Sequence, residues 1–157
     1  VKDYADKFGC EFVAGLKPWG NVKADVYMPC ARQNEILLED AKKMVANGLK
    51  YYVEVSNMPT TNEAIAYLKA NNVIVAPSKA VNAGGVATSG LEMSQNSMRY
   101  SWEGAEVDAK LVGIMKNIHA ISVEAAESAG MGYNLVAGAN IAGFKKVAAA
   151  MMAQGLV

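Results

Sequence analysis

A regular alternation of short apolar segments and amphipathic segments over residues 24–77 constrains the fold more than any other feature of this sequence. The apolar segments, which are rich in β-branched and aromatic residues and predict buried strands, are ADVYMP (24–29), YYVEV (51–55) and VIVAP (73–77). The amphipathic segments at 38–48 and 61–72 predict helices. Because strands separated by helices are typical of parallel sheets with right-handed crossovers, the first half of the chain is predicted to be α/β.

The pattern is different on both sides of this alternation. Before it, residues 2–8 predict the end of a helix and residues 11–13 a short strand. After the third strand no further segment predicts a strand. A glycine-containing link at 78–85 leads into residues 86–101, and long helical patterns follow at 103–130 and 134–155. The chain is therefore predicted to be half parallel sheet and half helical.

Composition excludes several classes of function. The chain is 52% hydrophobic, which is enough for a packed core, so an intrinsically disordered chain is excluded. Its 15 Lys and Arg balance 15 Asp and Glu, so we expect neither nucleic acid nor an anionic membrane as a partner. The apolar runs fall short of the roughly 18 residues of a membrane span. Two cysteines, Cys10 and Cys30, make no disulfide framework and suit the reducing cytoplasm.

Common catalytic and phosphate-binding motifs are absent from the sequence. No glycine-rich GxGxxG segment lies between a strand and a helix, and no GxxxxGK[ST], HExxH or CxxC motif is present. His119 is the only histidine, which argues against a Ser-His-Asp triad and against a metal site with several histidines. We interpret His119 as an ordinary helix residue and predict no metal site.

Small polar residues, glycine and proline follow each of the three predicted strands, in segments 29–34, 56–61 and 78–85. Each segment alone is typical of a turn or a helix cap. Because the carboxyl ends of parallel strands share one edge of a sheet, the three together favour a ligand site there. The adjoining GGVATSG at 84–90 opens a helix, where Ser89 can reach a carboxylate; the alternative is a flexible helix entry.

These segments together resemble the hexameric bacterial-type glutamate dehydrogenases. The strings that carry the resemblance are GLKPW (15–19), MPCARQNE (28–35), NMPTTNEA (57–64), APSKAVNAGGVATSGLEMSQNSMRYSW (76–102) and GYNLVAGANIAGFKKVAAAMMAQG (132–155). They occur in order over essentially the whole chain. The resemblance implies a partial Rossmann-like parallel sheet of three or more strands with a helical C-terminal part. Residues 1–101 would be part of the dinucleotide-binding region, and residues 102–157 the helices that complete it and pack toward a separate N-terminal domain.

The resemblance also implies an activity and a set of site residues. Family members interconvert L-glutamate with 2-oxoglutarate and ammonia, use NAD or NADP, and are hexamers. The residues that match substrate-binding positions of the family are Val86 and Ser89. The residues that match cofactor-binding positions are Pro29, Cys30 and Ala31 in the PCA turn, Asn57 near the ribose and Asn82 near the nicotinamide carboxamide.

Two parts of the family pattern have no counterpart here. The catalytic lysines and aspartate belong to the N-terminal domain, so no residue of this chain, Lys79 included, is assigned a catalytic role. The glycine-rich pyrophosphate loop and the residues that choose between NAD and NADP are also missing. Because the chain begins within a helix and without Met, we expect a fragment of a larger enzyme that is inactive alone. The alternatives are a stand-alone nucleotide-binding or regulatory module without catalysis, and a helical interaction domain without a ligand.

Overall fold

The structure, a computed structural model, describes residues 1–155 and contains one parallel sheet in the order β1-β2-β3. The elements in chain order are α1 (Lys2–Phe8), β1 (Val26–Tyr27), α2 (Leu38–Ala46), β2 (Tyr51–Val53), α3 (Asn62–Ala70), β3 (Ile74–Ala76), α4 (Ser78–Val81), α5 (Ala83–Met98), α6 (Gly104–Ser128) and α7 (Leu135–Gln154). Tyr51 pairs with Val26 on one side and with Ile74 on the other. The predicted Rossmann-like parallel sheet with a helical C-terminal part is confirmed.

The core lies between the strands and the two crossover helices. Its buried side chains are Trp19, Tyr27, Ile36, Ala41, Met44, Leu49, Tyr52, Ala64, Leu68, Val73 and Val75. Helix α2 begins after Leu37, whose backbone N–H donates to the Asp40 carboxylate over 3.0 Å. It ends at Asn47, and Gly48 follows at φ 84, a left-handed conformation that glycine adopts without steric cost. These end signals and the apolar period place the helix where the sequence predicts it.

Two local predictions are wrong. Residues 11–13 form no strand. The 78–85 link is helical, since it consists of α4, Asn82 and the first turn of α5. Gly84 was the signal for a link, but it lies within the first turn of α5, where a Cβ would make an ordinary contact, 3.4 Å from the Met115 sulfur on α6. The backbone at Gly84 is therefore helical, and the glycine marks no break in the chain.

Helices α6 and α7 form an antiparallel pair with a very close crossing. A Cβ built on Gly138 would lie 1.8 Å from the backbone oxygen of Ser122. Glycine is therefore required at this position for the two backbones to pass at the observed distance. At its start α7 also contacts the sheet, because Leu135 is buried and Val136 packs against the core.

The rest of α7 is largely exposed and apolar. Its large exposed side chains are Phe144, Val147, Met151 and Met152. Among residues 1–155, α7 is the one helix whose length and composition would allow it to cross a membrane, contrary to the expectation that no apolar run is long enough. One such helix is weak evidence, because apolar helices of globular proteins pass the same test.

Candidate functional site

The segments that follow β1 and β2 are joined directly at the carboxyl edge of the sheet. The buried Pro29 accepts two hydrogen bonds at its carbonyl oxygen, from the backbone N–H of Val55 over 3.2 Å and of Ser56 over 2.9 Å. Beyond it, Cys30 and Ala31 are exposed, and the Cys30 thiol donates to the Met28 carbonyl over 3.2 Å. The PCA turn therefore has a fixed, buried first residue and two residues open to solvent.

Asn57 and Asn82 meet at the same edge. The Asn82 side-chain nitrogen donates to the Asn57 side-chain oxygen over 2.6 Å, although the residues are 25 positions apart. Asn57 is exposed and Asn82 is half-buried. The pairing leaves the Asn82 oxygen as an acceptor and the Asn57 nitrogen as a donor. One donor beside one acceptor complements a carboxamide, which offers the same two groups in return.

A buried tyrosine supports the loop that carries Asn57. The Tyr52 hydroxyl and the Thr60 hydroxyl lie 2.6 Å apart, and both residues are buried. Burial raises the pKa of the Tyr52 phenol well above its ordinary value, so the group stays protonated and neutral in the folded chain. This contact joins β2 to the far end of the 56–61 loop and limits the positions that Asn57 can take.

The start of α4 is held by two charged side chains that the sequence reasoning missed as site residues. Glu54 follows β2, is 4% exposed, and accepts a hydrogen bond from the Ser78 backbone N–H over 3.2 Å at one carboxylate oxygen. Lys79 donates to the side-chain oxygen of Asn140 on α7. The available signal was the single charged residue inside the apolar run YYVEV. Together the two contacts fix the segment that ends at Asn82.

Val86 and Ser89 lie on the exposed side of α5. Val86 is 73% exposed, and the Ser89 hydroxyl donates only to the Gly85 carbonyl one turn earlier, over 3.3 Å. A hydroxyl bonded to its own helix in this way can turn to a ligand at little cost. The structure thus places both residues one turn apart on a free surface near the helix start, and it shows no protein group opposite them among residues 1–155.

A groove of about 640 Å³ opens beside this edge, between the loops after β1 and β2 and helix α7. Its lining includes Glu54, Met58, Ser78, Lys79 and Asn140. Residues from all three segments that the sequence predicts to form a ligand site, 29–34, 56–61 and 78–85, line the groove, but none of the individually predicted binding residues does. The groove therefore adjoins the segments that carry Asn57 and Asn82 without including the two asparagines.

Comparison with known proteins gives matches along the whole chain. The sequence model of the family described as "Glutamate/Leucine/Phenylalanine/Valine dehydrogenase" matches residues 1–155. The NAD-specific glutamate dehydrogenase of Clostridium symbiosum is 64% identical over 157 residues, which cover 99% of this chain and 35% of the relative. The NADP-specific glutamate dehydrogenase of Haemophilus influenzae is 52% identical, over 99% of this chain and 35% of its own.

A solved structure named glutamate dehydrogenase superposes on this chain with a TM-score of 0.96 and 64% sequence identity. The superposition covers 100% of this chain and 35% of that chain. The chain therefore spans about a third of the length of the relatives that it matches.

Proposed function

The chain belongs to the glutamate/leucine/phenylalanine/valine dehydrogenase family, and from this we propose that it is part of a glutamate dehydrogenase. The reaction is the reversible oxidative deamination of L-glutamate to 2-oxoglutarate and ammonia with NAD or NADP. The names of the relatives support the substrate, and they include both cofactor specificities. The observation that carries the proposal is the Asn57–Asn82 pair at the carboxyl edge of a parallel sheet, where such folds bind nucleotides.

We propose that Asn82 and Asn57 hold the cofactor end that reacts. The acceptor of Asn82 and the donor of Asn57 fit the carboxamide of nicotinamide, whose ring supplies the hydride acceptor when bound. The resemblance implies a place near the ribose for Asn57, and its bond to Asn82 is the reason that we assign it to the carboxamide as well. Holding the carboxamide in one orientation determines which face of the ring meets the substrate. In this proposal Pro29, Cys30 and Ala31 line the path of the cofactor, because their turn is tied to the segment that carries Asn57.

Substrate binding is assigned to the exposed face of α5. The Ser89 hydroxyl donates to a carboxylate of glutamate or 2-oxoglutarate, and Val86 packs against the aliphatic part of the same molecule. A hydrogen bond to a charged group contributes about 1.5–3 kcal/mol. Both residues bind and orient the substrate, and neither transfers a proton. The acid and base groups belong to the part of the family sequence that this chain does not span.

The remaining parts of the proposal concern assembly and location. We propose that the complete enzyme is a cytoplasmic hexamer, that residues 1–101 and 102–157 divide the chain as the resemblance implies, and that the exposed apolar face of α7 packs on the region outside the match. A neutral charge balance supports the absence of nucleic-acid or membrane partners. The alternative is a stand-alone nucleotide-binding or regulatory module without catalysis.

A chimaeric enzyme tests the proposal. This chain would replace the corresponding 35% of the Clostridium relative, to which it is 64% identical. We expect the chimaera to oxidise glutamate and the 157-residue chain alone to be inactive. A chimaera that folds but does not act on glutamate, or a chain that reduces 2-oxoglutarate unaided, would contradict the proposal. Tight nucleotide binding by the chain alone would favour the stand-alone module.

The role of Ser89 is tested in the same chimaera against a matched control. Ser94 lies on the same exposed helix and makes the same kind of bond, from its hydroxyl to the Gly90 carbonyl over 2.9 Å. Ser89→Ala should lower kcat/KM for glutamate by about one to two orders of magnitude, from the loss of one charged hydrogen bond. Ser94→Ala should leave it unchanged. Equal effects of the two substitutions would refute the assignment.

A further inference from the structure

The Glu54 carboxylate is an unusual buried group that the proposed activity does not use. One of its oxygens accepts from the Ser78 backbone N–H over 3.2 Å, and the other oxygen is buried without a hydrogen-bond partner in residues 1–155. A buried acceptor without a partner costs free energy, and native structures keep few of them. We therefore expect the Glu54 carboxylate to have a role that an apolar side chain at this position could not perform.

The place of Glu54 in the chain indicates that role. Its own backbone N–H donates to the Ala76 carbonyl over 3.0 Å, so both its main chain and its side chain are bonded to the segment that leaves β3. Asn57 follows Glu54 by three residues, and Asn82 follows Ser78 by four. Glu54 thus connects the two segments at the point where they leave the sheet, just before each of them presents its asparagine.

Within residues 1–155 the Ser78 N–H, the first N–H of α4, donates to the Glu54 carboxylate and to no other acceptor. Helix α4 is four residues long and ends at Asn82. A helix of one turn is not stable by itself, so its direction depends on the contacts at its start. A shift at Ser78 is therefore passed to Asn82, and among the side chains of residues 1–155 it is that of Glu54 that hydrogen-bonds this start to the segment after β2, which carries Asn57.

We propose that Glu54 is a positioning residue that holds α4 so that Asn82 bonds Asn57 and the pair is presented to a carboxamide. The role requires an acceptor oxygen at the end of a three-carbon side chain. Glutamine has both, aspartate is one carbon too short, and alanine has neither. The inference rests on the proposed function for the identity of the ligand, but the Asn57–Asn82 bond can be measured without any ligand.

The experiment uses the 157-residue chain and its variants Glu54→Gln, Glu54→Asp and Glu54→Ala. Nuclear magnetic resonance of the side-chain amide groups reports the bond between Asn82 and Asn57, through the chemical shift and the solvent exchange of the Asn82 amide protons. Exposed Glu63 gives the control substitution Glu63→Gln. We expect the bond to persist in Glu54→Gln and in the control, and to be lost in Glu54→Ala and Glu54→Asp while circular dichroism shows an unchanged fold.

A second measurement asks whether the pair recognises the nicotinamide end. For this measurement the chimaeric enzyme and its Glu54 variants are titrated with NADH and with ADP-ribose, which lacks the nicotinamide ring. The preference for NADH over ADP-ribose should fall about tenfold in Glu54→Ala and remain within about threefold of wild type in Glu54→Gln. The affinity for ADP-ribose should change little. If Glu54 had a purely structural role, its substitution would weaken the binding of both ligands equally.

The outcomes separate the two proposals. If Glu54→Ala keeps the asparagine bond, or if Glu54→Gln loses it, the positioning role is wrong. It is also wrong if Glu54→Ala and Glu54→Asp both fail to fold, because Glu54 then serves stability alone. If the asparagine bond responds as expected but wild type shows no preference for NADH, the positioning role stands and the proposed nicotinamide site fails.

Discussion

The crossing of α6 and α7 provides the sharpest test of the packing, through the substitution Gly138→Ala. A Cβ at Gly138 would lie 1.8 Å from the Ser122 carbonyl oxygen and 2.7 Å from the carbonyl carbon. Real Cβ atoms do not come closer than 3.0 Å, so the helices must separate by about 1.2 Å. Both clashing atoms belong to the backbone of α6, and no rotation of a side chain relieves them.

The expected magnitude combines two opposing effects. Overpacking of this kind costs typically 1–3 kcal/mol, and a clash with a helix backbone should lie at about the upper end. In the interior of a helix, alanine is more favourable than glycine by about 1 kcal/mol. The free energy of unfolding should therefore fall by about 2 kcal/mol, from the difference between these estimates.

Gly143 on the same helix is the matched control. A Cβ there would meet nothing within 4 Å. Gly143→Ala should therefore raise the free energy of unfolding by up to about 1 kcal/mol, from helix propensity alone.

Urea unfolding followed by circular dichroism measures the free energy of unfolding of both variants. The dependence of that free energy on urea concentration shows whether the compactness of the folded and unfolded states is unchanged. If Gly138→Ala is as stable as wild type, or if Gly143→Ala destabilises to the same degree, the close crossing does not exist as described.

Three further predictions concern the site, the core and the free helix face. In the chimaeric enzyme, Asn82→Ala should raise the KM for the cofactor with a smaller effect on the KM for glutamate, as steady-state kinetics will show; an unchanged cofactor KM and kcat would remove Asn82 from the site. The raised pKa of Tyr52 means that the unfolded phenol loses its proton above about pH 10 while the folded one keeps it, so stability should fall as pH rises above 10, by at most about 1.4 kcal/mol per pH unit. Urea unfolding at pH 9 to 11 should show that this slope is smaller in Tyr52→Phe, and an equal slope would contradict the assignment. The isolated chain should self-associate through exposed Phe144 and Met151, and sedimentation should show less association after charge substitutions Phe144→Glu and Met151→Glu; a monomeric wild type would refute this.

Periodicity in the sequence predicts most of the fold because the responsible interactions are local. The three strands lie within the predicted segments, and α2, α3, α6 and α7 begin and end within two residues of their predicted limits. Each of these elements has an apolar pattern and end signals of its own. The prediction of a link at 78–85 was wrong because glycine, although it favours turns, is also tolerated within a helix, as Gly84 and Gly85 are in the first turn of α5.

The candidate site was predictable in part. The rule that parallel strands share a carboxyl edge was enough to bring Asn57 and Asn82 into one region, and the structure places them in contact. The charge within YYVEV marks Glu54 as unusual, but the partners of Glu54 and Lys79 were not predictable, because each side chain acts across the fold on a residue that has no fixed spacing from it in the sequence. The substrate and cofactor roles of individual residues came from the family resemblance and remain predictions.

The long connections around the site have a consequence for the order in which the chain folds. The α6–α7 pair is a local hairpin, whereas the Asn82–Asn57 contact closes a separation of 25 residues and the Lys79–Asn140 contact one of 61. Contacts between distant positions form slowly, since the chain must lose loop entropy before they stabilise it. The Lys79–Asn140 contact also requires that the sheet half and the helical half have already met. We therefore expect the edge that carries Asn57 and Asn82 to be among the last parts of the molecule to form, after the helices of the α6–α7 pair.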